Sequence, residues 1–233
     1  MNHFQFLSVT NKNFLHIVKD LLISTNKYHP DIPFNLACVN LESTQIDYLH
    51  SLHQNLQPII VNQKFKKVLS SFPRHAGPKD TDHEEGYCTS CRSWFAAEVM
   101  EKYNTSVFYL DADVYIKGSI QDLFADLNSA DFMIRAKGHD SGGQPKQKNF
   151  KCNAGMVWIK NSTKNLKLLN TWAEKTKKMG IGWRSNQWTL NELMIENWND
   201  VIYKNFPLKF NGLSNNPESI ICHAKGRGAH SGS

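Results

Sequence analysis

The stretch VFYLDADVYI, residues 107–116, constrains this chain more than any other. Val107 to Leu110 are apolar without alternation, the pattern of a strand buried on both faces and so of a sheet covered by helices. Asp111 and Asp113 then fall where that strand must surface. A carboxylate beside a core is costly unless a cation or a helix N-terminus compensates it, so the pair requires a partner. Twelve aspartates in 233 residues produce about half a D-x-D by chance. Context therefore carries the signal. Asp80-Thr-Asp82 sits in a polar loop, whereas Asp111 and Asp113 interrupt FYL…VYI.

Around this strand, apolar runs alternate with helical spacing. FQFLSV reads as a strand, followed by a helix with Phe14, Val18, Leu21 and Thr25 on one face and Asn11 and Asn13 as candidate caps. FNLACVN and QPIIVN are two more strands, separated by a helix with Ile46, Leu49 and Leu52 in register. The helix RSWFAAEVMEKY leads into the aspartate strand. ADFMIRA and CNAGMVWIK follow as strands, then a helix with Leu169, Trp172, Thr176 and Met179 on one face and Gly180 as its stop. SNQWTLNELMIENW is a further helix, with Trp198 and Trp172 assigned to the core, and short strands in VIYKNFPLKFNG and SIICHAKG close the chain. Residues 74–90 and 138–150 are polar and read as mobile loops. With no repeat or linker, residues 1–233 are expected to form a single α/β domain with a mostly parallel central sheet flanked by helices. Its ligand site is expected beyond the carboxyl ends of the strands.

The net charge of +6 and pI near 9.0 favour anionic partners without separating nucleotides, nucleic acid and acidic lipid. The lysine-rich stretches around Lys66, Lys148 and Lys177 lack the aromatic interleaving used for base stacking, so no nucleic acid is expected. No run of about 18 apolar residues occurs, and the opening MNHFQFLSVTNKNF lacks the features of a signal peptide. Five cysteines, an odd number, fit a reducing compartment. A cytoplasmic location is expected, with peripheral contact at the inner face of a membrane still open. Cys88 and Cys91, with His75 and His83 upstream, read either as a zinc site or as free thiols at a helix start.

Two closely spaced carboxylates are hard oxygen ligands suited to Mg²⁺ or Mn²⁺, whose remaining positions go to water and substrate phosphates. Metal-dependent nucleotide-sugar transferases and D-x-D phosphatases both place such a pair after an apolar strand. The phosphatase chemistry needs a later acidic cluster, and Asp122, Asp126, Asp131, Asp140 and Asp200 do not form one.

Together with VTNKNF, CNAGMVWI, SNQW and ICHAKGRG, LDADV makes the chain resemble the GT-A-fold glycosyltransferases, closest to the retaining family 8. The resemblance implies a Rossmann-like GT-A domain that transfers a hexosyl-type sugar from a nucleoside-diphosphate donor, UDP-linked by this likeness, using Mn²⁺ or Mg²⁺. The acceptor would be a saccharide, a lipid-linked glycan or another hydroxyl compound. Thr10 and Asn11 would meet the base edge and Phe14 its ring, with Asn11 standing where an acidic residue is common. Arg92, Ala112, Ala154 and Gly155 would border the donor, Asn153 the sugar, and Lys225 or Arg227 the diphosphate. Asp111, Asp113 and His223 would hold the metal, and Gln187 would lie near the reacting carbon. Asn186 replaces the usual Asp, keeping some hydrogen bonds but no charge. That departure also admits a nucleotide-sugar-binding protein that has lost turnover.

Overall fold

The computed structural model describes residues 4–65, 84–137, 151–180, 185–210, 212–213 and 217–224. Ten strands and seven α-helices lie within these residues. The strands are β1 (Phe4–Asn11), β2 (Phe34–Val39), β3 (Leu56–Val61), β4 (Ser106–Leu110), β5 (Val114–Ile116), β6 (Phe132–Lys137), β7 (Lys151–Ile159), β8 (Tyr203–Asn205), β9 (Gly212–Leu213) and β10 (Ile221–His223). The helices are α1 (Leu15–Tyr28), α2 (Ser43–His50), α3 (Glu84–Ser90), α4 (Arg92–Tyr103), α5 (Phe124–Ser129), α6 (Thr163–Met179) and α7 (Ser185–Glu196).

Seven strands form the central sheet in the order β3-β2-β1-β4-β7-β6-β8. Four of its six pairings are parallel, and only β7 runs against both neighbours. The mostly parallel α/β sheet expected from the alternation is therefore present. The chain winds from β1 outward through β2 to β3, then returns to place β4 on the other side of β1. Such a reversal opens a crevice between the carboxyl ends of the two strands, where ligands of open α/β sheets bind.

The apolar runs of the central strands are continuous because both sheet faces are covered. Val107 and Tyr109 face α4, α6 and α7 together with Leu7, Val157 and Trp172. Phe108 and Leu110 face α1 and α2 with Phe6, Leu21 and Trp158. On that second face Phe108 stacks on Phe206 with ring centroids 5.6 Å apart, and Phe4 meets Trp158 edge-on at 5.5 Å. Between β4 and β6, the strand β7 carries a bulge: the register passes from Ile134↔Val157 directly to Arg135↔Asn153, so Ala154, Gly155 and Met156 have no partner on β6.

Local signals account for most element ends. Gly180 (φ 98°) ends α6 and Asn104 (φ 50°) ends α4, both at left-handed positions that release a chain from a helix. The Ser162 side chain accepts from the Asn165 amide and starts α6. Two expectations need correction. The polar stretch 74–90 is not loop throughout, because Glu84–Ser90 is helix. Residues 138–150 and the rest of that stretch lie outside the described residues. Asn13 caps no helix: Asn11 Oδ1 accepts from the Asn13 amide at 3.1 Å, and the Asn13 side chain instead donates to Glu85 at 2.6 Å. The side chain of Trp198 also lies outside the described residues. All five cysteines are free and buried. Burial pushes the Cys88 and Cys91 thiols up, and the Cys91 thiol faces the Cys88 carbonyl in the core. His75 and His83 lie outside the described residues. No described helix is long and apolar enough to cross a membrane.

A buried histidine ties this packing to pH. His53 is 1 % exposed and its Nδ1 accepts from the Asn55 amide at 3.2 Å. Burial pushes its pKa down to about 4, against about 6.5 for an unfolded chain. The folded state therefore favours the neutral ring. That contribution is whole above about pH 6.5 and is lost as pH falls toward 4, because the unfolded chain takes up a proton that the folded one does not. Denaturation between pH 7 and 4.5 is expected to show a loss on the order of 3 kcal/mol from this group. His53→Phe is expected to give a shallower fall by up to one proton, and equal slopes for parent and variant would contradict the assignment.

Candidate active site

Side-chain parity along β4 decides where its aspartate points. Residues two apart share a sheet face, so Asp111 continues the face of Val107 and Tyr109, toward α4. The first residue of α4, Arg92, meets it there, with Nη1 3.2 Å from Asp111 Oδ1. Arg92 is 6 % exposed and held at Nε and Nη1. Its Nε donates to the Thr89 carbonyl at 3.1 Å, Nη1 donates to the Ala154 carbonyl, and the guanidinium lies 4.8 Å from the Tyr109 ring centre. Burial works against its charge, but Asp111, with smaller help from Tyr109, Cys91 and Asp113, outweighs it and raises the pKa.

Beyond Leu110 the chain turns, with the Val114 amide donating to the Asp111 carbonyl at 3.0 Å, and continues as β5. A small second sheet, β5-β10-β9, pairs Val114 with His223, and the Ala224 amide donates to the Asp113 carbonyl at 2.8 Å. This pairing carries His223 from the far end of the chain to the aspartate turn. His223 Nε2 lies 2.7 Å from Asp113 Oδ1 and 3.8 Å from Asp111 Oδ2. Burial would lower the pKa of His223, but the hydrogen bond and charge of Asp113, with Asp111, raise it. One ligand atom from each of Asp111, Asp113 and His223 falls within 4.8 Å of the others, the one such cluster among the described residues. Ala112, between the aspartates, packs partly against the second core cluster.

The β7 bulge closes the cluster from the other side. The Asp111 amide donates to the Gly155 carbonyl at 2.7 Å, while the Gly155 amide donates to Asn153 Oδ1 at 2.8 Å. A Cβ on residue 155 would come within 2.6 Å of both Asp111 Oδ2 and His223 Cε1. Glycine therefore keeps open the space between two of the three ligand side chains. A cradle of two carboxylates and an imidazole, with room preserved among them, fits a divalent cation such as Mn²⁺ or Mg²⁺.

Of the residues singled out in the sequence, Arg92, Asp111, Asp113, Ala154, Gly155, Asn153 and His223 are joined by direct contacts. Thr10 and Asn11 are buried at the carboxyl end of β1, the strand beside β4, and Asn11 Nδ2 has no hydrogen-bond partner. Phe14 is partly buried in the turn that follows. Asn186 and Gln187 open α7, which reaches β7 through a bond from the Cys152 amide to Asn191 Oδ1. Gln187 lies one turn before Asn191 on the same helix face, whereas Asn186 is 1 % exposed and its Nδ2 is buried without a partner. Lys225 and Arg227 lie outside the described residues. Sequence reasoning missed Tyr109, whose hydroxyl donates to Asp111 Oδ1 at 2.9 Å. Its parity with Asp111 was the available signal. It also missed Asn191, legible only as the i+4 neighbour of Gln187, and Glu85, which nothing local marks.

Gly155→Ala is expected to cost about 1–3 kcal/mol of stability through overpacking and to weaken Mn²⁺ binding by more than about tenfold, since the methyl takes the space between two ligands. Calorimetric titration and thermal melting check both. Unchanged Mn²⁺ affinity in the variant would separate this cradle from any cation.

A family model for nucleotide-diphospho-sugar transferases matches residues 74–213, more than half of the chain and including the D-x-D strand, the β7 bulge and α7. Comparison with curated protein sequences gives no match. Among solved structures, galactosyltransferase LgtC in complex with donor and acceptor sugar analogues is similar over 94 % of this chain and 86 % of its own, at 16 % identity and TM-score 0.57. Mouse xyloside xylosyltransferase 1 is similar over 95 % and 97 %, at 14 % identity and TM-score 0.58. The glycosyltransferase GlyE of Streptococcus pneumoniae TIGR4 covers 96 % of this chain, which spans 54 % of GlyE, at 16 % identity and TM-score 0.59. These likenesses establish the GT-A fold. The family match, with the cluster at the crevice, sets aside the phosphatase alternative: the chain belongs to the nucleotide-diphospho-sugar transferase family.

Proposed function

We propose that the protein is a metal-dependent hexosyltransferase of the family 8 type. In this reading it moves a sugar from a UDP-linked donor to a hydroxyl of a saccharide or lipid-linked glycan, with retention of configuration. The observation that carries it is the convergence of Asp111, Asp113 and His223 within 4.8 Å at the crevice of a sheet in this family. An imidazole beside two carboxylates suits Mn²⁺ somewhat better than Mg²⁺. The bound ion would neutralise charge that builds on the diphosphate as the glycosyl bond breaks.

The chain's own side chains do the rest. Thr10 and Asn11 take the base edge, and the unpartnered Asn11 Nδ2 is a donor suited to a base carbonyl. Phe14 lies against the ring. Asn153, Ala112, Ala154 and Gly155 border the donor, where Gly155 lets it approach the backbone closely. Arg92, committed to Asp111 and two carbonyls, acts on the donor through Asp111 rather than as a free clamp. The basic residues two and four positions beyond His223, Lys225 and Arg227, grip the leaving diphosphate. Gln187 lies near the reacting carbon, and Asn186 supplies hydrogen bonds without charge. In this reading the protein works in the cytoplasm, with peripheral contact at the inner face of a membrane open to it.

Incubation with a panel of nucleotide sugars is expected to give Mn²⁺-dependent release of UDP from one UDP-hexose. Chelation should abolish it, and Asp113→Asn should lower it by at least about a hundredfold. Donor binding with no release under any acceptor would mark a binding protein that has lost turnover. Neither binding nor release, with Mn²⁺ present, would contradict the donor site itself.

A further inference from the structure

Asp111 has two carboxylate oxygens in unlike surroundings. Oδ1 lies 3.2 Å from the Arg92 guanidinium and accepts the Tyr109 hydroxyl at 2.9 Å. Oδ2 lies 3.8 Å from His223 Nε2 and borders the space that Gly155 leaves open. One oxygen is tied down by two donors and the other faces the cluster. We propose that Tyr109 is a positioning residue for the cation site: with Arg92 it fixes Oδ1, so that Oδ2 alone is presented to the metal. The inference rests on the metal reading above and adds to it a residue that touches neither metal nor substrate.

The tyrosine is built for this task. It is 3 % exposed, and a phenol is a neutral hydroxyl donor at neutral pH. Its ring lies beneath the Arg92 guanidinium at 4.8 Å, so one side chain supports both groups that hold Oδ1. A carboxylate on a strand end otherwise rotates about two bonds. Pinning one oxygen removes that freedom before a cation arrives, as outer hydrogen bonds do for metal ligands generally.

Tyr109→Phe removes only the hydroxyl and leaves the ring under Arg92. Titration of the nucleotide-free protein with Mn²⁺ is the test, because it reads the site without turnover. The expected result is Mn²⁺ affinity about tenfold weaker, as for loss of an outer hydrogen bond to a metal ligand, with the metal-free protein folded and its melting temperature lowered by no more than one hydrogen bond is worth. Arg92→Lys, which keeps the cation and loses the planar fork, is expected to weaken Mn²⁺ binding as well. Affinity in Tyr109→Phe equal to that of the parent would overturn the proposal. So would lower metal-free stability with no loss of affinity, or the failure of both variants to fold, since the residues would then be structural. A parent that binds no Mn²⁺ would instead overturn the metal reading and this inference with it.

Discussion

A guanidinium buried at the carboxyl end of β4, 3.2 Å from a carboxylate, is the interaction on which the rest of the site depends. Removing one member of such a pair commonly costs about 3–5 kcal/mol, because the other is left buried and uncompensated. Here the consequences spread further, since Arg92 also holds the Thr89 and Ala154 carbonyls. It thus ties the end of α3, the β7 bulge and the D-x-D turn to one point. A strand that would otherwise surface with an unpaired charge can therefore end inside the fold.

The second aspartate is compensated differently. Asp113 meets His223 at 2.7 Å, and that contact exists because β5 and β10 pair across more than a hundred residues of chain. The three-stranded sheet is short, yet it buries Val114, Ile116 and Ile221 in the second core cluster and sets the position of a ligand. The bulge in β7 serves the same end from the other side, turning the Gly155 carbonyl to the Asp111 amide and keeping Cβ out of the cradle. Bulges re-aim groups beside functional sites in this way at a local cost in ladder hydrogen bonds.

Much of this is legible in the sequence where the governing physics is local. Parity along VFYLDAD puts Tyr109 and Asp111 on one face, continuous apolar runs show a doubly covered sheet, and a helical stripe with a terminal glycine marks α6. Three things were not legible. The helix α3 hides in a polar stretch because Glu84–Ser90 has no apolar stripe and is held by contacts distant in sequence, such as Asn40 to Glu84. The antiparallel course of β7 leaves no trace in periodicity, since a strand buried on both faces reads the same in either direction. Asn13 looks like a cap and instead bonds Glu85, 72 positions away.

The central claim is that Asp111, Asp113 and His223 hold a divalent cation at the crevice between β1 and β4. Anomalous scattering from crystals soaked in Mn²⁺ and UDP tests it most directly. The account requires a manganese peak within bonding distance of Asp111 Oδ2, an Asp113 oxygen and a His223 nitrogen, with the diphosphate on its open side. A peak bound elsewhere, or UDP seated in the crevice with no metal between it and these residues, would contradict it.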